Sequence, residues 1–156
     1  MSLIEIDAVR YLELLGLGAG DWVSFNAKTP AGRRWVKVVP VPAIPAMVVA
    51  NAGGDVWIGV NPVDHTKVPP GKRGGNDVVV RLSALVADID DAKCSRGAGD
   101  AIITNVSGII GSSPVMIIES GGGRHVYWVL DRDDAAAMTM PVAAVLAKRF
   151  GLLVAM

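Results

Sequence analysis

Two aspartates with one residue between them, Asp88 and Asp90, stand at the end of the apolar run Ala84 to Ile89. If that run is a β-strand, side chains two apart share a face, which sets the two carboxylates on one side with Cα atoms roughly 6 to 7 Å apart. Carboxylates held this close repel one another and call for a proton or a cation. Mg2+ or Mn2+ meets that need, because hard divalent ions take oxygen ligands and a pair of such ions can activate a hydroxyl and neutralise a phosphoryl group. The plain alternative is that Asp88, Asp90 and Asp91 form a solvated strand end, where aspartate is common. The apolar run ahead of the pair favours the metal reading, since a buried strand is a rigid support for ligands.

A second group lies in the segment MIIESGGGRHVYWVL, where Ser120, Gly121, Gly122, Gly123, Arg124 and His125 sit between two apolar stretches. That is more glycine than a tight hairpin needs. Residues without Cβ atoms let a ligand approach backbone N–H groups, a concavity suited to phosphate oxygens. His125 and Ser120 would add donors to a triphosphate, and Arg124 would either do the same or face solvent. The competing reading is a flexible hairpin that happens to carry a histidine. A Walker-type phosphate loop is excluded, because no Gly-Lys-Ser/Thr follows the glycines and the next element reads as a strand. Paired metal-binding histidines are excluded too, since His65 and His125 are the only two in the chain.

Several elements must position these groups. Ile6, Val9, Leu12 and Leu15 recur at helical spacing and Gly16 and Gly18 supply a stop, which predicts a helix from Leu3 to Leu15. Trp22 to Phe25 and Arg34 to Val41 read as strands, Ala46 to Asn51 as a short helix after Pro45, and Asp55 to Asn61 as a strand. Pro62 to Asp77 reads as a long loop holding Lys67, Lys72 and Arg73. Val78 to Asp90 is expected to be a strand central in its sheet and covered on both faces. Asp100 to Gly111 is expected as a helix, then strands over Val115 to Glu119 and His125 to Leu130, then an alanine-rich helix over Asp133 to Phe150. The sum is one α+β domain, with a helix and small strands in residues 1–54 and a metal- and nucleotide-binding core in residues 55–156.

Composition narrows the classes further. At 156 residues, 51% of them hydrophobic and 19% charged, the chain can bury a core and does not read as disordered. Fifteen basic and fifteen acidic residues cancel, so any nucleic-acid contact must use local patches. The single cysteine, Cys94, cannot form an internal disulfide, and the N-terminus does not read as a secretion signal. The longest uncharged stretches carry too many polar and proline residues to read as membrane spans. Together these features favour a soluble cytoplasmic protein.

In order, VWIGVNP, a basic glycine-containing loop, LVADIDDAK and VMIIESGGGRHVYWVL resemble the primase-polymerase domains of phage and plasmid replication modules, in the archaeo-eukaryotic primase superfamily. The resemblance spans Val56 to about Leu130. It implies an α+β catalytic domain with a palm-type sheet like that of RNA-recognition motifs. It further implies that Asp88 and Asp90 hold Mg2+ or Mn2+ as catalytic ligands, and that Ser120 and His125, in the glycine hairpin, contact the incoming nucleoside triphosphate. The implied activity is DNA primase or DNA polymerase chemistry, that is, template-directed nucleotidyl transfer in a bacterial host cytoplasm. The implied partners are nucleoside triphosphates, a single-stranded DNA template and a helicase domain or protein.

The family pattern has a third carboxylate on a later strand. This chain has no acidic residue after Asp134, and Asp131, Asp133 and Asp134 do not take that role. It also ends after the expected last helix, so we expect a catalytic domain cut short at its C-terminus. Lys72 and Arg73, with Lys67 and Lys93 less directly, are candidates for triphosphate or template contacts, equally well read as solvated loop charges. Of the aromatic residues, Trp57 and Tyr127 are candidates to stack a base, whereas alternation puts Trp128 in the core. The competing functions are a non-catalytic or degenerate nucleotide- or DNA-binding module of a replication protein, and an unrelated α+β protein with an acidic metal-binding strand end.

Overall fold

The computed structural model describes residues 2–90, 92–119 and 122–130. The chain divides between Ser83 and Ala84 into two compact units. Both are mixed α and β, and each carries a three-stranded antiparallel sheet.

In the first unit, helix α1 (Leu3–Leu14) begins at a reciprocal cap in which the Ser2 hydroxyl accepts from the Glu5 amide and the Glu5 carboxylate accepts from the Ser2 amide. It ends at Gly16, whose φ of 63° no β-carbon-bearing residue adopts cheaply. Its buried side is Ala8, Leu12 and Leu15, while Ile6 is exposed. The helical spacing was therefore a sound guide to the element, but the inward face is rotated toward Ala8.

Strands β1 (Trp22–Lys28) and β2 (Arg34–Pro40) form a hairpin closed by Thr29 and Gly32, with β1 running three residues past its expected end at Phe25. A short turn leads into helix α2 (Ile44–Ala50), with Pro45 in its first turn, and α2 packs on α1. Strand β3 (Asp55–Ile58) pairs with the other edge of β1, giving the order β2-β1-β3. The expected division at residues 54 and 55 thus falls inside this unit, because β3 completes the sheet that β1 begins. Val23, Phe25, Ala27, Val39 and Ile44 are buried.

Residues 78–83, expected to open a long strand, instead run irregularly beside residues 61–64. Val79 bridges Val63, the Val80 amide donates to the Pro62 carbonyl over 2.9 Å, and the Ser83 amide donates to Asn61 Oδ1 over 2.8 Å. Arg81 grips Asp21 through two hydrogen bonds of 2.7 Å, which holds its guanidinium proton more tightly than usual. An apolar run reads alike whether its backbone joins a regular ladder or a loop, so the pattern placed the start of the strand six residues early.

In the second unit, strands β4 (Ala84–Asp90), β5 (Met116–Glu119) and β6 (Gly123–Val129) take the order β4-β6-β5. Among the described residues β4 pairs with β6 alone, so β6 and not β4 is the middle strand, although Ala84 to Ala87 are buried on both faces as expected. Helix α3 (Arg96–Ile110) starts four residues ahead of expectation, where the Ser95 hydroxyl accepts from the Ala98 amide, and stops at Gly111 with φ 77°. Val106 of α3 packs with Ala87, Ile89, Val126 and Trp128, and the Trp128 indole donates to Ser107 Oγ over 3.1 Å. Trp128 is a core residue, as alternation required. The expected helix over residues 133–150 lies outside the described residues.

Candidate metal and nucleotide site

The register of β4 on β6 assembles the site. Asp88 is the Cα partner of His125, and Asp90 is the partner of Gly123. Because Ala87, Ile89, Val126 and Trp128 point into the core with α3, strict alternation puts Asp88, Asp90, His125 and Tyr127 on the opposite face. Tyr127 is buried there, whereas the Asp88, Asp90 and His125 side chains are 50%, 38% and 37% exposed. The expectation that both carboxylates leave one rigid strand on one face is met.

Each carboxylate already faces a cationic or potentially cationic group. Asp88 Oδ1 lies 3.4 Å from His125 Nε2. Asp90 Oδ2 lies 3.0 Å from Lys93 Nζ, and its Oδ1 accepts from the Ala92 amide over 2.9 Å. The Lys93 contact, then the Ala92 amide, lowers the pKa of Asp90, and Asp90 raises that of Lys93. Lys93 is therefore first of all a partner of Asp90, one turn on from it in the chain.

That coupling has a testable sign. Lys93→Gln should move the Asp90 carboxyl titration, followed by carbon-13 NMR, up toward the ordinary aspartate range. Because Asp90 is lowered in the folded chain, its contribution is present above the unfolded aspartate pKa and is lost as pH falls through the lowered folded value. Lys93 is raised, so its share is present below the unfolded lysine pKa and is lost as pH rises through the raised one. Between those limits the wild-type chain should be the more stable of the two. An Asp90 titration that does not move in the variant contradicts the pairing.

The glycine turn divides by role. Ser120 and Gly121 lie outside the described residues. At Gly122 an added Cβ would meet nothing within 4 Å, so its surroundings are open. At Gly123 an added Cβ would collide with the carbonyl oxygen of Ile89 and stand 3.1 Å from Asp90 Cα. Gly123 therefore lets β6 approach β4 directly beside the acid pair, a packing reason for a glycine that sequence reasoning had given to phosphate.

Arg124 does neither of the things expected of it. Its side chain is 4% exposed and turns to the α3 side, where Nη1 donates to Asp100 Oδ1 over 2.6 Å and Nη2 donates to the Arg96 carbonyl over 3.2 Å. An added Cβ at Gly99 would collide with that guanidinium and stand 3.0 Å from Ile89 Cγ2. Arg124 thus clamps α3 to β6 behind the acid pair. The signal was Gly99 followed by Asp100 near the start of α3, too slight to read without knowing the register.

Lys67, Lys72 and Arg73 belong to the first unit. Lys67 pairs with Asp64 at 3.1 Å, Lys72 is exposed, and Arg73 lines a cavity of that unit.

Set against protein-family models, curated proteins and solved structures, the chain matches none. The geometry must therefore carry the functional reading. Two carboxylates on one strand are suitable donors for magnesium, which commonly takes one or two carboxylates and fills its remaining positions with water and substrate phosphates. Among the described residues no cluster of three or more His, Cys, Asp or Glu side chains forms a fuller protein cage. No helix among the described residues is long and apolar enough to cross a membrane.

Proposed function

We propose that the chain is a primase-polymerase domain that joins nucleotides on a single-stranded DNA template in phage or plasmid replication. One observation carries the reading: Asp88 and Asp90 share a face of β4, with His125 directly opposite Asp88 on β6. An antiparallel sheet that carries an acid pair on one face and a helix on the other agrees with the palm-type architecture that the motifs imply.

On this reading the 3′-hydroxyl of a primer attacks the α-phosphate of a nucleoside triphosphate. The new O–P bond forms as the bond to the β-phosphate oxygen breaks, the hydroxyl proton passes to water, and pyrophosphate leaves with the electron pair. Magnesium or manganese held by Asp88 and Asp90 would acidify the attacking hydroxyl and offset phosphate charge. The chain's own groups orient the reactants: the acid pair is fixed by the core beneath Ile89, and His125 donates a ring N–H to a triphosphate oxygen. Gly122 leaves room for the triphosphate beside the strand. Lys93, released from Asp90 when the pair takes up a cation, turns its ammonium to the phosphates.

A second reading, a nucleotide-binding module without catalysis, draws on the fact that Lys93 and His125 each sit against one member of the pair. Primer extension separates the two. The catalytic reading expects incorporation with Mg2+ or Mn2+ that stops on chelation with EDTA and resumes when the ion is restored. Nucleotide binding without incorporation under any of these conditions would establish the module instead.

A further inference from the structure

The first unit holds a cavity of about 490 Å3 over its sheet, inside the range of roughly 300 to 1,000 Å3 in which small ligands are bound. The strand register explains its lining. Asn26 of β1 is the Cα partner of both Val36 on β2 and Trp57 on β3, so these three form one row across the sheet, on the face opposite Phe25 and Trp35. Arg34 from β2 and Arg73 from the loop after β3 stand at the same cavity. Trp57 is 46% exposed, which makes it a large aromatic plane open to solvent and not a core residue. The neighbouring acidic residue, Asp55, is engaged by Lys28 at 3.6 Å.

An open indole, a side-chain amide with both donor and acceptor, and two guanidiniums form a set suited to a nucleotide. The indole stacks a base of any identity, the amide meets a base edge, and the guanidiniums meet phosphate. Duplex nucleic acid keeps its bases stacked internally and offers none to such a plane. We propose that this sheet face binds single-stranded nucleic acid, with a base on Trp57, its edge at Asn26 and the backbone phosphates at Arg34 and Arg73. The proposal deepens the proposed function, whose template is a single strand, by assigning a site for it in the first unit; the binding itself needs neither a metal nor Asp88 and Asp90.

The test is fluorescence anisotropy of the full chain with labelled oligo-dU, oligo-U and a duplex of the same length, all in EDTA. Binding of either single strand is expected, and the tighter of the two names the preferred sugar. Trp57→Ala should weaken it roughly 5- to 150-fold, as expected for loss of one stacked base, and Trp57→Phe should restore most of the affinity. Arg34→Gln with Arg73→Gln should make the slope of log K against log salt shallower by about 1.4, from about 0.7 per cation on a single strand. Failure to bind either strand, equal affinity for the duplex, or binding indifferent to both the Trp57 and the arginine variants would overturn the proposal. A chain that binds through Trp57 but never extends a primer would sink the catalytic reading alone.

Discussion

Asp88→Asn is expected to lower metal-dependent nucleotide incorporation by on the order of 10^3-fold while leaving thermal unfolding almost unchanged. The substitution keeps size and hydrogen-bonding capacity and removes the charge that a divalent ion requires, and losses of this order accompany removal of a group that stabilises developing charge in a transition state. The fold should tolerate it, because the Asp88 side chain is half exposed and the core beneath β4 is made by Ala87 and Ile89. Asp90→Asn should act in the same direction, and the double variant should lose little beyond either single one, since both serve one site. Single-turnover primer extension with the unfolding curve of each variant checks this. A variant that keeps more than about a tenth of wild-type incorporation contradicts a role of this size for Asp88.

Gly123→Ala is expected to have the largest effect on stability. Its Cβ would enter the space of the Ile89 carbonyl, and the three nearest atoms are all β4 backbone, which leaves no flexible side chain to give way. Overpacking of this kind costs about 1 to 3 kcal/mol, and distortion of the β4–β6 ladder would add to it. Gly122→Ala supplies the control, because nothing lies within 4 Å of a Cβ there and the change should fall within about 0.5 kcal/mol of neutral. Urea unfolding of the two variants decides between a packing glycine at 123 and a phosphate-binding one. Equal stability, with nucleotide affinity lost only in Gly123→Ala, would restore the phosphate role.

The parts of this chain that were legible in its sequence are those governed by local rules. Gly16 and Gly111 stand where helices were expected to end, whereas the caps at Ser2 and Ser95, equally local in their chemistry, went unread, and α3 was expected four residues late. Alternation put Asp88 with Asp90 and separated Tyr127 from Trp128, because the strand period holds whatever the sheet does. What could not be read depended on register and strand order. That Asp88 faces His125 across two strands, that β6 lies between β4 and β5, and that Arg124 turns toward Asp100 are facts of tertiary pairing. The face of α1 was misjudged for a related reason: Ile6 and Ala8 both suit a helix, and the packing of the first unit decides which one is covered. The polar row of the first sheet was present in WVSFNAK as Ser24, Asn26 and Lys28, but its meaning waited on the partner strands that brought Trp57 and Arg34 beside it.

The most direct measurement is a crystal of the chain grown with manganese and a non-hydrolysable nucleoside triphosphate. The expected result is anomalous density shared by the carboxylates of Asp88 and Asp90, with the triphosphate between that density and the His125 ring. Manganese bound elsewhere, or the two carboxylates turned to separate surfaces with nucleotide at neither, would contradict the account.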